Sequence, residues 1–147
     1  MTRILFFCLG NICRSPMAEF IMKNLVEKRG LSDRFFIASA ATSDEEEGNP
    51  LYPPARRTLD QHGVPHTPHS ARQLAPDDLR GFDLLVGMEA RNLVNARRLL
   101  GDSPKYRRLL DYTDRPRDIA DPWYTGDFET AYREILEGCQ ALLDALT

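Results

Sequence analysis

Apolar positions fall into two rhythms along the chain: short unbroken runs alternate with stretches spaced at three and four residues. Arg3 to Cys8 (RILFFC) is a continuous apolar run, the pattern of a strand buried on both faces. Ser15-Pro16 then opens a helix, with Ser as the capping residue and Pro at the first helical position. Met17, Phe20, Ile21 and Leu25 give that helix an apolar face, and Gly30 ends it. Arg34 to Ala40 reads as a second strand, Phe82 to Met88 as a third and Tyr106 to Tyr112 as a fourth. Helical patterns cover about Pro54 to His62 and Glu89 to Leu100. The last helix starts near Asp127 and keeps its helical spacing from Phe128 to Leu146. Strands alternating with helices predict βαβ units, an α/β fold and a mainly parallel sheet. Ser43 to Pro54 is the least regular stretch, a loop whose length in a compact domain points to function.

With neither an internal repeat nor a domain boundary, residues 1–147 read as one domain, and 42% apolar content suffices for a core. A net charge of −3 argues against a nucleic-acid binder. No apolar run is long enough to span a membrane, and the N-terminal one is too short for a signal peptide. Three cysteines, an odd number, argue against a disulfide framework, so a cytoplasmic protein is expected. His62, His66 and His69 straddle a Gly-Pro turn without ligand spacing, so neither a metal nor a cofactor is expected. The arginine pairs, Arg107-Arg108 among them, and the Glu45-Glu46-Glu47 run read as solvated faces.

The chemistry concentrates in Cys8-Leu9-Gly10-Asn11-Ile12-Cys13-Arg14-Ser15, where the first strand hands over to the first helix. In open α/β sheets this carboxyl edge binds ligands, and a helix N-terminus there presents free N–H groups to an anion. Gly10 and Asn11 are the residue types that most readily adopt positive φ and curl successive N–H groups into a nest. Neither a Walker loop nor a dinucleotide fingerprint is present, so Arg14 is the candidate to hold two phosphoryl oxygens at once. A Cys8 thiol facing that nest is expected to ionise near neutral pH and attack phosphorus, with Ser15 donating a hydrogen bond to the thiolate. Asp121, stiffened by Pro122, is the candidate proton donor for the leaving oxygen.

The segment CLGNICRS resembles the phosphate-binding loop of the low-molecular-weight protein tyrosine phosphatases, in the specific form C-x-G-N-x-C-R-S ahead of Pro16. Ser39 to Ser43, Gly48-Asn49-Pro50, His69 to Gln73 and Asp121-Pro122-Trp123-Tyr124 resemble further family segments, in family order. The resemblance implies a four-stranded parallel sheet in 2-1-3-4 order with helices on both faces. It also implies metal-independent hydrolysis of phosphotyrosine in protein substrates through a phosphocysteine, with Asp121 as general acid and base. Asn11 is similar to the residue that shapes the loop, and Ser39 and His69 match positions that hold Asn11 and Ser15 from behind. Trp123 and Tyr124 would wall the cleft, and Cys13 resembles a partner that forms a reversible disulfide with Cys8 under oxidation.

Two features depart from the family pattern. Glu45 stands where relatives often carry an aromatic cleft residue, in an acidic stretch from Asp44 to Glu47, and Gly87 interrupts the third strand. Three other functions share the loop. An arsenate reductase needs further cysteines, and only Cys139 lies beyond the loop. A protein arginine phosphatase carries Thr where this chain has Ile12. A non-catalytic phosphate-binding module would normally lose the nucleophile or the acid.

Overall fold

The computed structural model describes residues 1–147. Strands β1 (Thr2–Cys8), β2 (Phe35–Ala41), β3 (Leu84–Gly87) and β4 (Tyr106–Arg108) form one sheet in the order β2-β1-β3-β4. All three pairings are parallel, with Ile4 beside Ile37 on one side and Leu84 on the other. The connections carry α1 (Arg14–Lys28), α2 (Pro53–Gln61), α3 (Pro76–Gly81), α4 (Ala90–Leu100), α5 (Pro122–Thr125) and α6 (Phe128–Leu146). The α/β class and the 2-1-3-4 order agree with expectation.

β1 divides the core in two, because successive side chains on a strand point to opposite faces. Ile4, Phe6 and Cys8 join residues of α1, α2 and α6 on one face. Leu5 and Phe7 meet Leu85, Ala96 and Tyr106 on the other. Ile4 through Phe7 are fully buried, which is why their run is unbroken rather than alternating.

Several elements differ from the sequence reading; β3, for one, spans Leu84–Gly87 rather than Phe82 to Met88. β4 stops at Arg108, and Leu109–Tyr112 form a short 3-10 turn. Leu109 and Leu110 both enter the α6-side core, which a strand would prevent by sending them to opposite faces. α3 has a single buried side chain, Asp78, which binds Arg72 and the Ala75 amide; it carries no apolar period to read. α1 begins at Arg14 with Cys13 as its cap residue, and no side chain caps it. The Ser15 hydroxyl is committed to the loop instead.

From β1 the chain passes to β2 on one side, then returns to β3 on the other. The carboxyl ends of β1 and β3 therefore lie side by side, with Phe7 beside Gly87, at the switch point where a crevice opens. Gly87 is matched to this spot: a Cβ there would lie 3.1 Å from Asn92 Cβ and 3.2 Å from Phe7 Cζ. Its absence lets the first turn of α4 close onto the strand end. No helix is long and apolar enough to cross a membrane.

Gly138 of α6 crosses the Leu109 turn so closely that a Cβ would lie 2.5 Å from Leu109 Cγ. Gly138→Ala gains about 1 kcal/mol of helix propensity but overpacks the contact by about 1–3 kcal/mol. A lowered urea-denaturation midpoint is expected; an unchanged or raised midpoint contradicts this packing.

Candidate active site

The loop Cys8–Ser15 is shaped from within. Asn11 has φ +59°, the only non-glycine residue in the left-handed region. It is fully buried, and its side chain satisfies both ends: Nδ2 donates to Ser15 Oγ (2.8 Å) and Oδ1 accepts from the Arg72 amide (3.2 Å). His69 Nε2 donates to the Asn11 carbonyl at 2.7 Å. The amides of Thr42 and Ser43 donate to the carbonyls of Cys8 and Leu9, tying the loop to the end of β2. The amides of Gly10, Ile12, Cys13, Arg14 and Ser15 donate to no backbone carbonyl, leaving donors free for an anion.

Cys8 is buried at the end of β1. Its Sγ lies 3.0 Å from Ser15 Oγ and accepts from the Asn11 amide at 3.4 Å. Because Ser15 Oγ accepts from Asn11, its own proton is free to face Cys8 Sγ or the more distant Ala40 carbonyl at 3.4 Å. Burial pushes the Cys13 thiol well above the ordinary range, and the charges of Cys8 and Asp121 push it further. Of the two loop thiols, only Cys8 has the donors of Ser15 and Asn11.

Arg14 is 1% exposed, so its charge depends on partners. Nη1 donates to the Ile119 carbonyl at 2.7 Å, and Nη2 pairs with Glu89 Oε1 at 3.0 Å and Asp121 Oδ2 at 3.3 Å. Burial lowers its pKa, but Cys8, Asp121 and Glu89 outweigh that and raise it above the usual arginine value. Glu89 lies two residues past the end of β3, and Asn92 Oδ1 accepts from the Met88 and Glu89 amides to hold that turn.

Asp121 precedes α5 and caps it: Oδ1 accepts from the Trp123 amide at 3.0 Å while Oδ2 faces Arg14. A cleft of about 180 Å³ lies between the loop, the acidic segment and the α5 turn. Ser43, Glu45 and Glu46 form one wall; Asp121, Trp123 and Tyr124 form the other. Trp123 is 50% exposed and rests on Tyr52 at 4.8 Å between ring centroids, and the Tyr52 amide in turn donates to the Ile12 carbonyl.

The structure gathers Cys8, Leu9, Gly10, Asn11, Ile12, Cys13, Arg14, Glu45, Asp121, Trp123 and Tyr124 around one cleft, with Ser15 beneath Cys8. Two expectations fail. Gly10 does not adopt positive φ. Ser39 Oγ donates to Glu19 Oε1 at 2.6 Å rather than holding Asn11 or Ser15, because Glu19 on α1 offers the stronger, charged acceptor. Of the three histidines, only His69 meets the loop: His62 pairs with Glu129 and His66 with Asp60. Sequence reasoning missed Asn92 and, above all, Glu89. The signal for Glu89 was its place two residues past the strand that pairs with β1.

Residues 3–147 match the family model described as "Low molecular weight phosphotyrosine protein phosphatase". The chain is 38% identical to the low molecular weight protein-tyrosine-phosphatase YfkJ of Bacillus subtilis, over 99% of this chain and 96% of that one. It is 36% identical to the low molecular weight phosphotyrosine protein phosphatase of Rattus norvegicus, over 96% and 93% respectively. The crystal structure of YfkJ superposes with a TM-score of 0.95, covering 99% of this chain and 94% of that one. The drosophila arginine phosphatase DARP is 32% identical, with a TM-score of 0.90, covering 100% of this chain and 98% of its own.

Asn11→Ala removes two side-chain hydrogen bonds and leaves alanine in the left-handed region, an expected loss of about 2–4 kcal/mol by urea denaturation. A loss below about 1 kcal/mol contradicts the role given to Asn11.

Proposed function

Because the chain belongs to the low molecular weight phosphotyrosine protein phosphatase family, we propose that it hydrolyses phosphotyrosine in proteins through a phosphocysteine on Cys8. The observation that carries this reading is the convergence of Cys8 Sγ, Arg14 and Asp121 on one cleft, with Arg14 and Asp121 3.3 Å apart. Cys8 Sγ forms a bond to phosphorus as the bond to the phenolic oxygen breaks, and Asp121 gives that oxygen its proton. Asp121, now a carboxylate, takes a proton from water as that water attacks phosphorus. The phosphorus–sulfur bond breaks, and the sulfur leaves as a thiolate that accepts the Ser15 hydrogen bond. Arg14 and the free loop amides hold the equatorial oxygens through both steps, so the chemistry asks for no metal.

Ile12, which lines the cleft, supports phosphotyrosine over phosphoarginine, the second substrate to test in view of DARP. Glu45 and Glu46 support a preference for phosphotyrosine with basic neighbours, because none of the residues from Asp44 to Glu47 has a cationic partner within 4.0 Å. Three free, buried cysteines fit a cytoplasmic setting.

With excess chelator, p-nitrophenyl phosphate hydrolysis is expected in the wild type and abolished in Cys8→Ser. In Asp121→Asn it is expected to fall about 100- to 1000-fold. Full activity in Cys8→Ser overturns the mechanism. Phosphotyrosine peptides with arginine neighbours are expected to exceed those with glutamate neighbours in kcat/KM by roughly tenfold at low salt. Equal values contradict the role given to the acidic wall.

A further inference from the structure

Thr113–Asp121, the segment that delivers Asp121 to the cleft, contains neither helix nor strand. Within it only Ile119 is buried, yet Asp121 must stand at a defined height over Cys8. Three successive residues fix the segment just before Asp121, beginning with Arg117, which pairs with Glu134 and Glu137 of α6 at 3.1 and 3.0 Å. Ile119 is held by its main chain: its amide donates to the Met88 carbonyl at 3.0 Å, and its carbonyl receives Arg14. Asp118, one residue earlier, is held by its side chain. Its Oδ1 accepts from the Ala90 amide at 2.9 Å, in the first turn of α4, and from Arg108 Nη1 at 2.9 Å, at the end of β4. Arg108 is itself fixed by Asp111 at 2.8 Å, so the second anchor of Asp118 is not a free side chain. An arginine that reads from the sequence as a solvated strand face is thus 23% exposed and bound to two carboxylates.

The clamp joins elements that already frame the cleft. The β3–α4 turn that supplies the Ala90 amide also supplies Glu89 to Arg14. A single turn therefore sets both the guanidinium and the segment that bears the acid. We propose that Asp118, clamped between Arg108 and the Ala90 amide, is a positioning residue that sets where Asp121 meets the leaving oxygen. This rests on Asp121 as the general acid. Asp118 touches no reacting atom; it acts through the two peptide units that separate Ile119 from Asp121. Proton delivery depends steeply on placement, so a loosened segment weakens protonation of a poor leaving group, whereas any disturbance of Arg14 through the Ile119 carbonyl falls on every substrate alike.

The test compares kcat/KM for phenyl phosphate, whose phenolate needs a proton to leave, with dinitrophenyl phosphate, whose phenolate leaves unaided. The ratio of the two is independent of the folded fraction of a variant. Asp118→Ala is expected to lower the phenyl-to-dinitrophenyl ratio roughly tenfold, and Asp118→Asn, which keeps the acceptor oxygen, to restore most of it. Arg108→Met, which releases the clamp from its other side, is expected to lower the ratio in the same sense. Asp121→Asn serves as the reference and is expected to lower it most. If Asp121→Asn lowers the ratio but Asp118→Ala leaves it at the wild-type value, Asp118 is only structural and the inference falls alone. If Asp121→Asn itself leaves the ratio unchanged, the reading of Asp121 falls and takes the inference with it.

Discussion

A guanidinium that is 1% exposed keeps its charge, so its burial is costly unless the fold supplies partners for it. Arg14 draws them from two separate stretches of chain, Glu89 after β3 and Ile119 with Asp121 before α5. Removing one partner of such a buried pair typically costs about 3–5 kcal/mol, so these stretches are not free to drift apart. The same contacts that stabilise the charge fix two of the groups a phosphoryl transfer needs. In the proposed reaction these are Arg14 as anion receptor and Asp121 as acid, set across the cleft from Cys8, which Ser15 and Asn11 hold as the nucleophile.

That arrangement follows from the order of the strands. With β1 central, its carboxyl end borders both β2 and β3, and residues that follow each strand can reach the loop. Thr42 and Ser43, just past β2, bind the carbonyls of Cys8 and Leu9, while Glu89, just past β3, binds Arg14. Asn11 turns the chain inside this frame through a left-handed residue whose side chain is itself a hydrogen-bonding strut. Ser15, which would otherwise cap α1, gives up that role to stand beside Cys8.

Much of this was legible in the sequence, for physical reasons that differ from element to element. β1 was readable because both its faces are buried, and α6 because its long apolar stripe has a regular period. The loop was readable because its residue types serve one chemistry and sit between a strand and a helix. β4 was misread through Leu109 and Leu110, where an apolar run marked a turn rather than a strand. The partner of Ser39 is not legible because only the packing of α1 on β2 brings the Glu19 carboxylate within 2.6 Å of its hydroxyl. Glu89 and Asp118 escaped because their meaning lies in contacts with residues 75 and 10 positions away, which only the strand order brings together.

In the proposed mechanism Cys8 takes the phosphoryl group covalently while Arg14 and the loop amides hold it. Rapid acid quenching of the enzyme during turnover, followed by peptide mass spectrometry, tests this directly. One phosphoryl group is expected on the peptide carrying Cys8, as a phosphocysteine. A phosphoryl group trapped on another side chain, such as His69 or Cys13, would contradict it.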